Sequence, residues 1–222
     1  MSTFQVESSK LLVNSPIMAM RQDQVRMPDG SLGQREIIEH FGAVAVVAHN
    51  EGKIALFHQY RHALGRHLWE LPAGLLDFQD EEPLVAAKRE LQEEVGLASN
   101  HWSHLIDVAA TPGFCDEVVR IFVADSVFTV ERPPAEAEEA DAERAMVDLT
   151  EAQAMIWRGE IVNATAIAGI LAFAHVQAQS HAPGLLRPAD SEFELRPTAL
   201  AQRRVAAGVR GDLKKLGHAQ AR

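Results

Sequence analysis

Three carboxylates at one-turn spacing constrain this chain more than any other feature. Glu90, Glu93 and Glu94 stand at i, i+3 and i+4, so a helix through them carries all three acids on one face. Like charges at those spacings repel and weaken a bare helix. The helix therefore needs something positive over that face and an apolar surface beneath the other. Leu84, Ala87, Leu91 and Val95 supply the apolar stripe. Hard divalent cations such as Mg²⁺ or Mn²⁺ prefer carboxylate oxygens and complete their coordination with substrate phosphates. A plain solvated acidic surface is the alternative. The glycine-bearing loop before the helix and the glycine stop after it favour the metal.

The elements around that helix read as a mixed α/β protein. Residues Leu11 to Val25 and Arg35 to Glu39 form short strands about the turn at Pro28-Asp29-Gly30. Gly42 to His49 and Lys53 to Tyr60 flank Asn50-Glu51-Gly52, a hairpin signal. A further strand runs through Leu68 to Leu71. Pro83 fits the first turn of the acidic helix, Asp80 to Glu82 suit its dipole and Gly96 fits its C′ position. Strands follow at Leu105 to Ala110, Val118 to Ala124 and Ala145 to Leu149, then helices at Glu151 to Arg158 and Asn163 to Ala178. These elements predict an α/β/α sandwich around a mixed sheet. The chain divides into an N-terminal β extension (1–40), a central domain (41–180) and a polar tail (181–222), for which disorder or a short surface helix is expected.

Composition narrows the partners. A net charge of −10 argues against a nucleic-acid surface, which needs a basic patch. Cys115 is the single cysteine, so neither an internal disulfide nor a thiolate metal cluster can form. The first residues lack a signal-peptide pattern, and the longest apolar run, Ala164 to Val176, is too short and mixed to span a bilayer. The expectation is a cytoplasmic protein with no nucleic-acid or membrane partner.

The segment from Gly74 to Leu97 resembles the Nudix box, G-x5-E-x7-R-E-U-x-E-E-x-G-U with U a bulky aliphatic residue. Gly74, Glu81, Arg89, Glu90, Leu91, Glu93, Glu94, Gly96 and Leu97 match its fixed positions. One departure stands out: six residues, not five, separate Gly74 from Glu81. Asp80 keeps the count from Gly74 but breaks the interval to Arg89, so we align Glu81 and place the extra residue in the loop. Pro112 follows the box by fifteen residues, as in the ADP-ribose pyrophosphatase branch. The stretches QYRHALGRHLWELPAGLLD, PGFCDE and GEIVNATAIAG also look like the actinobacterial enzymes of that branch.

The resemblance implies the α/β/α Nudix fold and hydrolysis of ADP-ribose to AMP and ribose 5-phosphate by water attack on the diphosphate, assisted by two or three Mg²⁺ (or Mn²⁺) ions. Glu90 and Glu94 are the first-choice ligands, with the Ala73 carbonyl as the family's usual extra one. Glu93 either serves an additional ion or holds Arg89, whose guanidinium orients the acids. The mobile catalytic glutamate, counted also among the metal ligands, falls in the acidic loop RPPAEAEEADAE, on Glu139 or, one register away, on Glu138. Substrate positions carried over are Arg35, Glu36, Arg61, Leu75, Gly113 and Glu117. The resemblance also implies a homodimer with exchanged N-terminal strands.

Other features read plainly. His58 and His62 lack an H-E-x-x-H pattern, and Cys115 has no partner that would make it a nucleophile. Two competing functions remain: hydrolysis of another nucleoside diphosphate derivative such as a sugar nucleotide, and non-catalytic ADP-ribose sensing. Retention of Glu90, Glu93 and Glu94 argues against a sensor.

Overall fold

The computed structural model describes residues 4–134, 142–179 and 184–216. Its centre is strand β4 (Ala43–Asn50), and its burial explains the layering. Ala43, Ala45 and Val47 face one hydrophobic cluster, while Val44, Val46 and Ala48 face another. Successive side chains of a strand point to opposite faces. A strand apolar at every position from Ala43 to Ala48 must therefore be covered on both sides.

The sheet runs β12 (Glu143–Asp148), β5 (Lys53–Arg61), β4, β10 (Val119–Asp125), β9 (His101–Val108) and β13 (Arg187–Pro188). Strand β10 lies parallel to β4, and the other neighbours along this path are antiparallel. Two short strands attach at the site end: β6 (Arg66–Glu70) pairs with β5, and β7 (Ala73–Leu75) pairs with β4. Helix α1 (Pro83–Val95) covers one face through Ala86, Ala87 and Leu91. Helices α2 (Leu149–Trp157) and α3 (Ala164–Ala178) cover the other through Ala152, Met155, Ala166, Ile170 and Phe173. This is the expected α/β/α sandwich around a mixed sheet. A two-stranded ribbon, β8 (Leu97–Ala98) with β11 (Phe128–Thr129), closes the edge beside α1.

Ahead of the sandwich, β1 (Gln5–Asn14), β2 (Met18–Arg26) and β3 (Leu32–His40) form a separate antiparallel sheet. Strand β1 leaves Val6, Leu11, Leu12 and Val13 exposed. No helix among the described residues is long and apolar enough to cross a membrane.

Two expectations need correction. The stripe on α1 is not Leu84, Ala87, Leu91 and Val95 alone: Ala86 and Glu94 are buried, and Leu84 and Val95 only half so. The tail is also not a loose polar appendage. Its short helix α4 (Ala199–Ala206) exists, but Leu200, Val209 and Leu213 are buried with Ala19 and Phe41 in a third cluster. Arg204 is fully buried there, bonded to Asn14 and to the Ser15 carbonyl. Lys and Arg stems pack on apolar surface wherever their heads find partners, so a basic composition hid an inward face.

Candidate active site

The site forms where β7 meets α1. At Gly74 a Cβ would lie 2.0 Å from the Glu90 carboxyl carbon, so only glycine lets that carboxyl settle against the strand. One residue earlier, the Ala73 N–H donates to Glu94 Oε2 at 2.8 Å. Glu90 and Glu94, one turn apart, thus lean on the same two residues of backbone. Gly96 ends the helix in the left-handed region, φ 67°, and its N–H returns to Gln92 O.

Arg89 braces Glu90 and two further acids. Its Nη1 donates to Glu90 Oε1 at 2.6 Å and to Glu93 Oε2 at 3.0 Å. Its Nε and Nη2 reach both oxygens of Glu81 at 3.1 Å each, a two-pronged bond that fixes the plane of the guanidinium. Glu81, not Asp80, therefore meets Arg89. Asp80 takes a left-handed φ of 62°, which absorbs the extra loop residue.

Charge density is high. Burial raises the Glu90 carboxyl to about 7, with Glu93 and Asp77 adding repulsion that Arg89 only partly offsets. Burial alone would lower the Arg89 guanidinium, but Glu81 and Glu90 hold it well above its usual value. Two further arginines grip the end of α1. Arg132 Nε donates to the Glu93 carbonyl at 2.6 Å, and Arg144 donates to the Glu94 carbonyl while lying over the Phe57 ring. Cations at a helix C-terminus satisfy its last carbonyls and its dipole. Nothing in the sequence pointed to them, because they lie 39 and 50 residues from the carbonyls they serve.

Among the described residues, no three His, Cys, Asp or Glu stand gathered as a ready metal cage. The guanidinium occupies the centre of the acid cluster instead. The donors nevertheless fit a hard divalent ion. Glu90 and Glu94 are carboxylates brought to one backbone stretch, room is made by the missing side chain at Gly74, and the charge on Glu90 is left under-compensated. Glu90, Glu94 and the Ala73 carbonyl would hold the ion.

The remaining positions fall into two other places. Arg61 ends β5, where its Nε and Nη2 reach the two oxygens of Glu70 at 3.0 and 2.6 Å; Glu70 is buried and Arg61 half-exposed. The sequence reading missed Glu70, whose only signal was an acid set between apolar Leu68, Trp69 and Leu71. Leu75 lies in β7, half-buried against the core. Arg35 and Glu36 are exposed on β3: Arg35 bonds the Gln34 carbonyl, and Glu36 accepts from Gln22 and Gln34.

Gly113 and Glu117 belong to the loop before β10. That loop is fastened to the end of the same strand β3 by Ile38 N–H to Phe114 O at 2.7 Å and His40 N–H to Asp116 Oδ1 at 2.7 Å. Glu117 Oε1 lies 3.5 Å from His40 Nδ1. Burial pushes up the Cys115 thiol in this loop. Glu138 and Glu139 lie outside the described residues.

This arrangement matches known proteins. The model described as NUDIX domain fits residues 39–168, more than half of the chain. The chain belongs to the Nudix family. Residues 4–38, ahead of the Nudix domain, match a model described as the nucleoside diphosphate sugar hydrolase N-terminal domain. An ADP-ribose pyrophosphatase of Mycobacterium tuberculosis is 50% identical over 202 residues, covering 90% of this chain and 96% of the relative. An ADP-ribose pyrophosphatase of Bacillus subtilis is 34% identical over 154 residues, covering 69% and 83%. A solved structure titled as that of an ADP compounds hydrolase superposes with a TM-score of 0.71 at 17% identity, covering 81% of this chain and 97% of that one. At that identity the superposition speaks for the Nudix fold alone.

Proposed function

We propose that this Nudix hydrolase cleaves ADP-ribose to AMP and ribose 5-phosphate. The observation that carries the reading is the joint seat of Glu90 and Glu94 on the Ala73–Gly74 backbone, with Arg89 bracing Glu90. The relatives named as ADP-ribose pyrophosphatases direct it to this substrate. Water adds to one phosphorus of the diphosphate, the bond from that phosphorus to the bridging oxygen breaks, and the water's proton passes to a base. Mg²⁺ or Mn²⁺, two or three ions per site, supplies charge neutralisation of the phosphate oxygens and activation of water when bound.

The chain's own residues divide the remaining work. Glu90 and Glu94 would hold cations through their carboxylates. Arg89 orients the Glu90 carboxylate, and Glu93 either serves a further ion or anchors Arg89. Glu139 takes the proton, with Glu138 as the alternative register. Arg61, its orientation set by Glu70, meets a phosphate as a guanidinium that needs no further ordering. Leu75, Gly113, Glu117, Arg35 and Glu36 complete the substrate surface. We take the β1–β3 sheet (1–40) as the dimerising extension of a homodimer, because β1 exposes apolar side chains that a second copy would cover. A single cysteine suits a cytoplasmic setting.

A second reading, hydrolysis of a sugar nucleotide, draws on the match of residues 4–38 to the nucleoside diphosphate sugar hydrolase extension. Turnover of ADP-ribose, GDP-mannose, NADH and diadenosine phosphates, each with and without Mg²⁺, separates the readings. ADP-ribose should give the highest kcat/KM, and only with metal. Preference for GDP-mannose would support the second reading, and binding without turnover would make the chain a sensor.

A further inference from the structure

The loop between β7 and α1 is one residue longer than the pattern it resembles, yet four of its residues are fastened from a distance. The Leu213 N–H donates to the Asp77 carbonyl at 2.8 Å, and the Gln79 N–H donates to the Gly211 carbonyl at 2.8 Å. Phe78 and Asp212 form an antiparallel bridge between these bonds. Arg196 Nη2 donates to the Glu81 carbonyl at 3.0 Å. Lys214 Nζ lies 2.6 Å from Asp77 Oδ2, on a carboxylate whose side chain is only 3% exposed.

The fastening segment is itself anchored. Arg203 reaches both oxygens of buried Glu39 at 2.8 and 2.7 Å, and Arg204 bonds to Asn14 and Ser15. The tail thus spans from the N-terminal sheet to the loop. Through Glu81 and its two-pronged bond with Arg89, it reaches the acids of α1.

We propose that residues 196–214 are a positioning element of the metal site, with Arg196 and Lys214 setting where Glu81, and through it Arg89, stands. This rests on the reading of Glu90 and Glu94 as metal ligands. Packing alone would require only the apolar contacts of Leu200, Val209 and Leu213. The pair joins a buried Asp77 carboxylate to a half-exposed Lys214, so its role is to hold the loop in place rather than to add much net stability. Burial alone would lower the Lys214 ammonium, yet Asp77, then Asp212 and Glu90, hold it above its usual value. Partners that orient metal ligands tune affinity without touching the ion.

The test uses the full chain with Lys214→Met, Lys214→Arg and the double variant Asp77→Asn/Lys214→Met. The double variant removes both charges, so no buried carboxylate is stranded and the fold is kept. Hydrogen exchange of the loop peptide is measured without metal, Mn²⁺ affinity by electron paramagnetic resonance, and kcat and KM at saturating Mn²⁺. We expect both Met variants to exchange faster at residues 77–81 and to bind Mn²⁺ roughly tenfold more weakly. Their kcat at saturating Mn²⁺ should stay near the parent's, and Lys214→Arg should restore affinity. Unchanged Mn²⁺ affinity in both Met variants, whatever their melting temperatures or exchange, would overturn the proposal. Parent protein that takes up no Mn²⁺ would overturn the metal reading and this role with it. Normal metal uptake by the parent with normal uptake by the variants would overturn this role alone.

Discussion

Gly74 and Glu90 occupy one another's space: the carboxyl of Glu90 fills the position where residue 74 would carry its Cβ. The backbone of β7 and the acid face of α1 are therefore a single interlocked unit. Substituting Gly74→Ala should force the Glu90 side chain away from the strand. We expect a ~10²-fold loss in kcat/KM, the scale for misplacing a reacting arrangement by about 1 Å. Steady-state kinetics with circular dichroism to confirm folding checks this, and near-parent activity would contradict the interlock.

Glu94 can be tested by charge alone. Glu94→Gln retains an oxygen to accept the Ala73 N–H and keeps the helix propensity, but loses the negative charge. The expected kcat loss is on the order of 10³-fold at saturating Mg²⁺, with the fold intact. Activity within about tenfold of the parent would remove Glu94 from the ligand set.

Glu90 makes metal uptake dependent on pH. Its carboxyl is raised from 4.5 to about 7, so between those values the folded protein holds a proton that the unfolded chain releases. Raising the pH through that window removes stability from the metal-free protein, and a bound cation restores it. Mn²⁺ affinity should accordingly rise as the pH passes through about 7, with release of roughly half a proton per ion at that pH. Calorimetry in buffers of different ionisation enthalpy reads both quantities. PH-independent affinity with no proton release would show that Glu90 is not the competing group.

The base is assigned by comparing neighbours. Glu139→Gln should lower kcat by about 10²–10⁴-fold with little change in KM, while Glu138→Gln should be much milder. A larger loss at Glu138 would move the assignment by one residue. Parent-like rates in both would leave Glu93 as the better proton acceptor.

Strand β1 is the part of the extension that can be removed. Strand β2 carries buried Ala19 and Asp23, so a deletion reaching Val25 would damage the fold, whereas one ending at Val13 removes mainly exposed residues. That truncation should lower dimer content in light scattering and raise KM. A monomer with parent kinetics would sink the proposed role of the extension.

The acid face of α1 was legible in the sequence because it obeys local periodicity, and so was β4, apolar at every position from Ala43 to Ala48. The resemblance to the Nudix box also placed the extra residue in the loop, where Asp80 absorbs it and Glu81 meets Arg89. What escaped detection depends on pairing across the chain. Arg204 reads as an ordinary surface cation until Asn14, 190 positions away, is folded against it. Glu70 reads as a strand acid until Arg61 turns back onto it. Arg132 and Arg144 lie on separate segments that converge on the end of α1 only in three dimensions. Charged residues have no preferred period when their partners are distant, so pattern alone cannot separate an inward arginine from a solvated one.

The bond between Arg196 and Glu81 closes a separation of 115 residues. Closing such a span costs entropy before the contact returns any stabilisation. The sheet and α1 can assemble without that contact, whereas the loop waits for α4 and for the residues around Asp212 beyond it. Maturation of the catalytic loop should therefore lag behind formation of the core: a refolding molecule passes through a stage with native layers but an unlatched site, and regains activity later than secondary structure.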